Sequence, residues 1–354
     1  IQYNKRAQLS LGEAIEAIRS LKVENTRLEN RIKQLESRGK KKGKKTDKKK
    51  VSEKDEAEMT EEEKITRLGK QYLIFHELFP NPSAFGKAMP EEQSDDPLRF
   101  TTAKSSLRGQ TAELYDFLPE EFHAHLQSSS LFQQKITNSA SEFKRAHWHQ
   151  LRSKTAQHIF DFLEPPSGIF ATSRGDERAN LPAFKEFRKF PGDPDDAIFR
   201  PLCFPNQEKN FKVIFRCDWL AKLLRSMFFG AMSIIGDNTK APNSNGVLWN
   251  TDSVNAGVMA LGLVSGLFMT GPDKSFAVIG PQSKINFQKA YNGYKSFIIE
   301  ASRDGKSSQK RMLETIRWLN DRVFADGRSS NPDAARRSDT EDFSGALAAM
   351  SLSD

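Results

Sequence analysis

Apolar side chains near the start of the chain recur with the seven-residue spacing that is typical of a coiled coil. The heptad a positions hold Leu11, Ile18, Asn25 and Ile32, and the d positions hold Ala14, Leu21, Leu28 and Leu35. Ile at a with Leu at d favours two parallel helices, and a single Asn at a sets the register and the dimeric state. We therefore predict an N-terminal coiled-coil helix over residues 1–38. Its predicted dimerisation residues are Leu11, Ile18, Leu21, Asn25, Leu28, Ile32 and Leu35.

The flanking charges leave the partner and the orientation of this coiled coil open. In a parallel homodimer two glutamates, Glu24 and Glu29, would face each other and repel. Arg31 would instead face Glu36, which attracts. A homodimer, a heterodimer and an antiparallel pair all fit the pattern, as does an amphipathic helix packed on its own domain.

Helical spacing of apolar residues dominates the rest of the chain. Thr60 and Glu63 form a capping-box pattern that starts a helix, which continues through Phe79 and is closed by Pro80. Further helices are predicted over residues 107–118, 120–127, 131–163, 218–235, 253–269, 283–303 and 307–324. Strands do not alternate with these helices, so an α/β fold is not expected. The predicted fold class is mainly α, with one irregular helical domain over residues 60–326.

A proline-rich loop arm interrupts the helices at residues 165–216, which contain seven prolines. Within the arm, residues 201–205 (PLCFP) predict a buried turn and residues 212–215 predict a short strand. The arm is a candidate boundary for subdividing the domain. The polar composition of residues 327–354 predicts a disordered C-terminal tail.

Residues 256–271 form an uncharged run with two glycines four positions apart, Gly262 and Gly266. This spacing can pack membrane helices, but spanning a bilayer takes about 20 apolar residues. We predict instead a buried central helix whose glycines permit close contact with a neighbour, and we expect Trp318 to stabilise the domain if its ring is buried. The predicted core contains Trp219, Leu223, Phe228, Val258, Leu261, Phe268, Phe287, Phe297, Ile316 and Phe324.

Charge changes this picture in one short segment. The chain has 54 Lys and Arg against 46 Asp and Glu, a net charge of +8. Residues 38–50, the lysine tract, carry a net +8 by themselves, and the remaining 341 residues hold 45 charges of each sign. The basic residues of the tract are Arg38, Lys40, Lys41, Lys42, Lys44, Lys45, Lys48, Lys49 and Lys50. We predict a charged, disordered linker over residues 39–59.

The position of the lysine tract restricts its role. Basic-zipper DNA readers carry their basic helix before the zipper, whereas this tract follows the predicted zipper and is interrupted by Gly39 and Gly43. A flexible lysine tract is typical of a nuclear import signal, of non-specific contact with nucleic-acid phosphates, or of a solvated linker. Seven acidic residues within residues 51–64 compete for the lysines, which favours import. The expected partner is an import receptor, with nucleic acid as the alternative, and the expected localisation is nuclear, with the cytoplasm as the alternative.

Patterns for catalysis are weak. Residues 266–275 have the glycines of a phosphate loop, but two residues separate the second Gly from the Lys, which must adjoin it. Cys203 and Cys217 lack the spacing of zinc ligands and are predicted to be small core residues. No catalytic residue and no cofactor is predicted, and the balance is against an enzyme.

The histidines do not form a chelating pattern either. Two pairs occur, His123 with His125 and His147 with His149. On a helix, residues two apart point roughly 200° apart, so neither pair can bind one metal ion alone. Convergence with Glu121 or His158 is the remaining route to a site, and we expect surface or packing roles.

Four short motifs in the second half of the chain carry a resemblance. They are PLCFP at residues 201–205, NTDSVNA at 250–256, FQKAY at 287–291 and WLNDRVF at 318–324. Together they resemble a family of basidiomycete fungal proteins that carry a domain of unknown function, over about residues 100–326. The resemblance implies a fungal intracellular protein with an α-rich domain. It implies no activity and no functional residue, and the predicted zipper and lysine tract lie outside it.

Two functions fit these observations. The leading hypothesis is a non-enzymatic nuclear interaction protein that dimerises through the zipper and uses the lysine tract for import or for non-specific nucleic-acid contact. The alternative is an enzyme or small-molecule-binding helical domain in residues 100–326, with the N-terminus as an assembly tag. A deep pocket with converging polar groups would favour the alternative, and a closed apolar core would favour the first.

Overall fold

The computed structural model describes residues 59–91, 94–235, 239–303, 305 and 308–325. The predicted coiled coil with its dimerisation residues, the lysine tract, most of the linker and the C-terminal tail lie outside the described residues. They stay predictions. The described part of the chain is called the helical body.

The body contains twelve α-helices and no β-strand among its described residues. In chain order they are α1 (Glu61–Phe75), α2 (Ala103–Phe117), α3 (His123–Ser128), α4 (Ser130–Lys154), α5 (Ala156–Ile159), α6 (Gly175–Asn180), α7 (Pro182–Arg188), α8 (Asp218–Phe229), α9 (Asn245–Leu248), α10 (Ala256–Thr270), α11 (Phe287–Ser302) and α12 (Gln309–Val323). The prediction of a mainly α fold is confirmed. The one pairing of extended backbone in this part is an isolated antiparallel bridge between Ile279 and Asn286.

The capping box predicted at the start of α1 is present. The Thr60 hydroxyl accepts from the Glu63 amide at 3.2 Å, and the Glu63 carboxylate accepts from the Thr60 amide at 3.0 Å. The helix ends at Phe75 and not at Phe79 as predicted. The chain leaves the helical path at His76, whose carbonyl accepts instead from side chains of α11.

Two apolar clusters fill the body. The main core surrounds α10 and takes side chains from α1, α4, the 165–216 arm, α8, α11 and α12. The small core joins α1, α2, α3 and the first half of α4. Because α1 and α4 contribute to both clusters, they connect them.

Helix α10 is the buried centre of the main core, as predicted. It is buried from Gly257 to Thr270. A Cβ added at Gly262 would come within 2.5 Å of the Leu220 side chain, and one at Gly266 within 2.7 Å of the Trp219 ring. The two glycines therefore permit the close packing of α10 against α8. Within the described residues, the helices are all too short or too polar to cross a membrane.

Seven of the ten predicted core residues are buried, namely Trp219, Leu223, Phe228, Val258, Leu261, Phe268 and Phe287. Phe297, Ile316 and Phe324 are partly buried and pack against the main core from outside. Trp318 is also partly buried, and the Arg322 guanidinium lies 3.9 Å from its ring centroid. Truncating Trp318 therefore removes less apolar contact than truncating a fully buried tryptophan would.

Several predicted boundaries are wrong. The predicted helix over residues 131–163 breaks after Lys154, where the Thr155 hydroxyl bonds the Leu151 carbonyl at 2.6 Å. Helix α8 stops at Phe229 because Gly230 has a positive φ of 84°. No strand forms over residues 212–215, since a 3-10 turn occupies Phe211–Val213.

The arm at residues 165–216 is more ordered than predicted. It contains the short helices α6 and α7, and Pro182 opens α7 at a position where a missing N–H is harmless. The buried turn predicted at residues 201–205 is confirmed, with Leu202, Cys203 and Phe204 buried.

Candidate functional site

The histidines take packing or surface roles, and His125, His149 and His158 are exposed. His123 Nε2 lies 3.0 Å from the Tyr115 carbonyl and 2.9 Å from the Leu118 carbonyl, at the end of α2. His147 stacks on Phe143, with ring centroids 4.7 Å apart, and burial lowers its pKa to about 4. Within the described part of the chain, the His, Cys, Asp and Glu side chains form no group of three or more that could hold a metal ion.

The two cysteines are free thiols in the main core. Burial raises the pKa of Cys203 to about 12, and Cys217 is shifted upward for the same reason. Cys217 Sγ lies 3.5 Å from the Leu202 carbonyl. Both residues are small core residues, as predicted. A thiol that stays protonated is a weak nucleophile and a weak metal ligand.

The glycines of residues 266–275 do not build a phosphate loop. Gly266 is inside α10 and Gly271 is its C-cap. The next residue but one, Asp273, is buried, and its Oδ1 accepts from the amides of Gln282 (2.8 Å) and Ser283 (3.1 Å). The segment is therefore a closed turn that an internal carboxylate holds together.

Two buried arginines donate hydrogen bonds to the backbone of the same turn. Arg152 donates to the carbonyls of Asp273 at 2.6 Å and Lys274 at 3.0 Å. Arg178 donates to the Gly271 carbonyl at 2.8 Å. Burial, and then the positive charges of neighbouring arginines, lower the pKa of Arg178 to about 10. Cations are favourable at a helix C-terminus, so these side chains stabilise the end of α10.

A second group of buried charges lies where the two apolar clusters meet. We call it the Glu113 cluster, and it consists of Glu77, Arg99, Glu113 and Lys295. Glu113 belongs to α2 and Lys295 to α11, Arg99 belongs to the 3-10 turn Pro97–Phe100, and Glu77 follows α1. All four residues are less than a tenth exposed.

Glu113 is the centre of the cluster. Its Oε1 accepts from Lys295 Nζ at 2.6 Å, and its Oε2 accepts from Arg99 Nη2 at 2.9 Å. His76 Nδ1 is 3.5 Å from Oε1. Arg99 reaches this position by lying across α2 at Gly109, where a Cβ would come within 2.7 Å of the Arg99 Cβ.

The ion pairs of this cluster counteract the effect of burial on the pKa values of Glu113 and Lys295. Burial by itself raises the pKa of Glu113, but Lys295 and then Arg99 hold it well below the usual range of a carboxyl group. Burial lowers the pKa of Lys295, and the charge of Glu113 works against that shift. Glu113 is thus a carboxylate in the folded protein, paired with two cations.

Lys295 also connects α11 to the end of α1. Its Nζ donates to the His76 carbonyl at 2.5 Å, and the Tyr291 hydroxyl donates to the same oxygen at 2.7 Å. The backbone where α1 ends is therefore held by two side chains one turn apart on α11.

Glu77 is the unsatisfied member of the cluster. It is 0% exposed, and neither carboxylate oxygen accepts a hydrogen bond. Burial raises its pKa to about 7, with Lys295 lowering it and Glu113 raising it further. The cations closest to Glu77, Lys295 and Arg99, donate to Glu113 and to backbone carbonyls instead.

The sequence offers a faint signal for this cluster, whose residues were not among the predicted sites. Lys295 occupies the face of α11 that also carries Tyr291 and Ile298, at helical spacing. A lysine inside an apolar stripe needs a buried partner. The identity of that partner is not readable from the pattern.

A groove of about 750 Å³ runs along the surface between α1 and α4. Lys135 forms an ion pair with Glu62 across it, and both side chains are at least one third exposed. Lys70 and Glu142 also line it. The groove is open to solvent and is lined by residues of these two helices alone, so it has the character of a helix–helix surface.

No family model, no curated protein and no solved structure matches this chain. The resemblance to the basidiomycete family therefore stays a prediction.

Proposed function

We propose that this chain is a non-enzymatic nuclear interaction protein. The heptad repeat pairs it with a second helix, the lysine tract directs import or contacts nucleic acid without reading sequence, and the helical body is the folded module that is carried by this assembly.

The observation that carries the proposal is the placement of the charge. A net charge of +8, equal to that of the whole chain, lies in thirteen residues that follow a heptad repeat with one polar a position, whereas the remaining 341 residues hold 45 charges of each sign. A short, lysine-dense segment binds polyanions or an import receptor as a point-charge array and needs no fold of its own. The rest of the chain, taken together, adds no net electrostatic attraction for phosphates.

The interior of the body supports the same proposal. Its buried arginines donate to backbone carbonyls of their own chain, and Arg225 does so to Ser233, Val323 and Ala325 at 2.8 to 2.9 Å. Glu113 is paired with Lys295 and Arg99 in the same internal way. Charged groups that hold a fold together in this way are typical of a structural module.

The experiment that tests the proposal follows the full chain in cells. One variant changes Lys40, Lys41, Lys42, Lys44 and Lys45 to Ala, and the matched control changes the same five to Arg, which keeps the charge. We expect the alanine variant in the cytoplasm and the arginine variant in the nucleus. An alanine variant that distributes like the unmodified chain would refute the import role.

A further inference from the structure

The end of α1 is the place where the small core is joined to the main core. Tyr72, on the last turn of α1, belongs to the small core, whereas Leu78 and Phe79 belong to the main core. Between them, the His76 carbonyl accepts from Tyr291 and Lys295. A Cβ on Gly257 of α10 would come within 2.1 Å of the Phe75 carbonyl, so backbone packs on backbone here.

Neither carboxylate oxygen of Glu77 has a hydrogen-bond partner inside this junction, and the nearby Phe79 amide lowers its pKa less than any other neighbour does. An ionised carboxylate is strongly disfavoured in a buried site with so little compensation, whereas the neutral acid is tolerated much better. The cations that could compensate it, Lys295 and Arg99, are bonded to Glu113. The closed junction therefore favours a protonated Glu77.

The charged and titratable groups around Glu77 come from each element that meets at the junction. Lys295 and Arg99 attract its negative charge and Glu113 repels it. Ionised Glu77 would in turn oppose ionisation of the hydroxyls of Tyr72 and Tyr291. His76, the preceding residue, directs its ring toward Glu113.

We propose that Glu77 makes the junction between the small core and the main core sensitive to protons. When the carboxyl is neutral, the junction is closed as described above. When it ionises, water must enter to solvate the charge, and residues 76–80 therefore become more mobile. The hydrogen bonds from Tyr291 and Lys295 of α11 to the His76 carbonyl then weaken.

The direction of the effect follows from the raised pKa. A carboxyl whose pKa is higher in the folded state than the usual 4.5 binds its proton more tightly there. Its stabilising contribution is fully present below about pH 4.5 and is lost as the pH rises through about 7. His147 acts in the opposite sense, since its lowered pKa makes acid destabilising between about pH 6.5 and 4.

Comparison with a Glu77→Gln variant of the full chain isolates the contribution of Glu77, because the other groups cancel. We expect the ratio of unfolding equilibrium constants, unmodified over variant, to rise by up to about tenfold per pH unit between pH 5 and 6.5. Above pH 7.5 the ratio should level off. Glu142→Gln, at an exposed site on α4, serves as the matched control and should give a ratio that does not change with pH. A flat ratio for Glu77→Gln would overturn the proposal.

Hydrogen exchange on the unmodified chain gives a second test that needs no variant to fold. After correction for the intrinsic exchange rate, we expect the protection factor of the amides in residues 76–79 to fall at least threefold from pH 6 to pH 8. Amides in the centre of α10, which exchange only when the whole body unfolds, should stay better protected than those of the junction at both pH values. Equal protection of the junction at both pH values would show that Glu77 ionises without opening it, and the proposal would be wrong.

Discussion

The Trp148 indole Nε1 donates a hydrogen bond of 2.8 Å to the Ser265 hydroxyl, inside the main core. Ser265 donates in turn to the Leu261 carbonyl at 2.7 Å, one turn earlier on α10. The largest side chain of α4 is thus bound to the central apolar helix by its single polar atom. This bond fixes the rotation of α4 about its axis as well as its distance from α10.

Ser265→Ala should destabilise the body by about 1 to 3 kcal/mol, because the buried Trp148 N–H loses its acceptor. In the double variant with Trp148→Phe, the cost should be smaller than the sum of the two single costs, since the unpaired donor is gone. Urea denaturation of the three variants measures this. Additive costs would show that the bond contributes nothing beyond the packing of the ring.

Gly266→Ala should destabilise the body more than Gly262→Ala. The new Cβ at Gly266 meets the rigid Trp219 ring, with its nearest carbon at 2.7 Å, whereas the one at Gly262 meets the end of the flexible Leu220 side chain at 2.5 Å. Overpacking of this kind costs about 1 to 3 kcal/mol, whereas alanine gains about 1 kcal/mol over glycine in a helix, so a contact with a rigid ring is destabilising on balance. Thermal unfolding of the two variants compares them directly, and a Gly266→Ala variant more stable than the unmodified chain would contradict the packing described above.

Glu113→Gln should destabilise the body by about 3 to 5 kcal/mol, because Lys295 and Arg99 lose the charge that compensates their burial. Replacing Lys295 by Met in the same chain should recover part of this loss. Denaturant titrations at pH 7 test both statements. A double variant as unstable as the single one would mean that Lys295 is not an uncompensated charge in the Glu113→Gln protein.

The pH dependence of the Glu113 contribution has the opposite sign to that of Glu77. Its pKa is lowered in the folded state, so its stabilisation is present above the usual 4.5 and is lost as the pH falls below that value. The stability difference between the unmodified chain and Glu113→Gln should therefore shrink from pH 5 to pH 3. A difference that is constant over this range would show that Glu113 is not ionised in the fold.

The predicted zipper should make the full chain a dimer. A peptide of residues 8–38 should also associate at tens of micromolar, and Asn25→Ile should raise its thermal stability while loosening the choice of oligomer. Sedimentation equilibrium measures the association and the size of the oligomer, and thermal unfolding of the peptide measures its stability. Monomeric behaviour of the peptide and of the full chain would exclude a homodimer and leave only pairing with a different chain.

The lysine tract should bind duplex DNA, if at all, without sequence preference. With all nine positive charges on phosphates, the slope of log affinity against log salt should approach about −8, and a few contacts should give about −3. Titrations over a salt series with two unrelated duplexes give the slope and the preference. Discrimination between the duplexes would mean that the helical body, and not the tract, reads DNA.

Local features of the body were predictable because their causes are local. The capping box of Thr60 and Glu63 lies within one turn of chain, and the burial of α10 follows from an uncharged run. The close approach permitted at Gly262 and Gly266 was readable too, since the absence of a side chain is a property of the residue itself. Helix ends were less predictable, because α1 ends where α11 competes for its last carbonyl.

By itself, the sequence determined that the body is helical, which helix is central, and where the net charge of the chain is concentrated. Only the tertiary structure decided which charged side chains meet. Glu77, Arg99, Glu113 and Lys295 come from four separate segments of the chain and share no spacing or motif. Their pairing depends on how α2 and α11 pack around the end of α1, and burial then sets the ionisation of Glu77 and Glu113 in opposite directions. A charged residue in an apolar stripe indicates that it has a buried partner. Long-range packing determines which residue that partner is, and the local pattern carries no information about it.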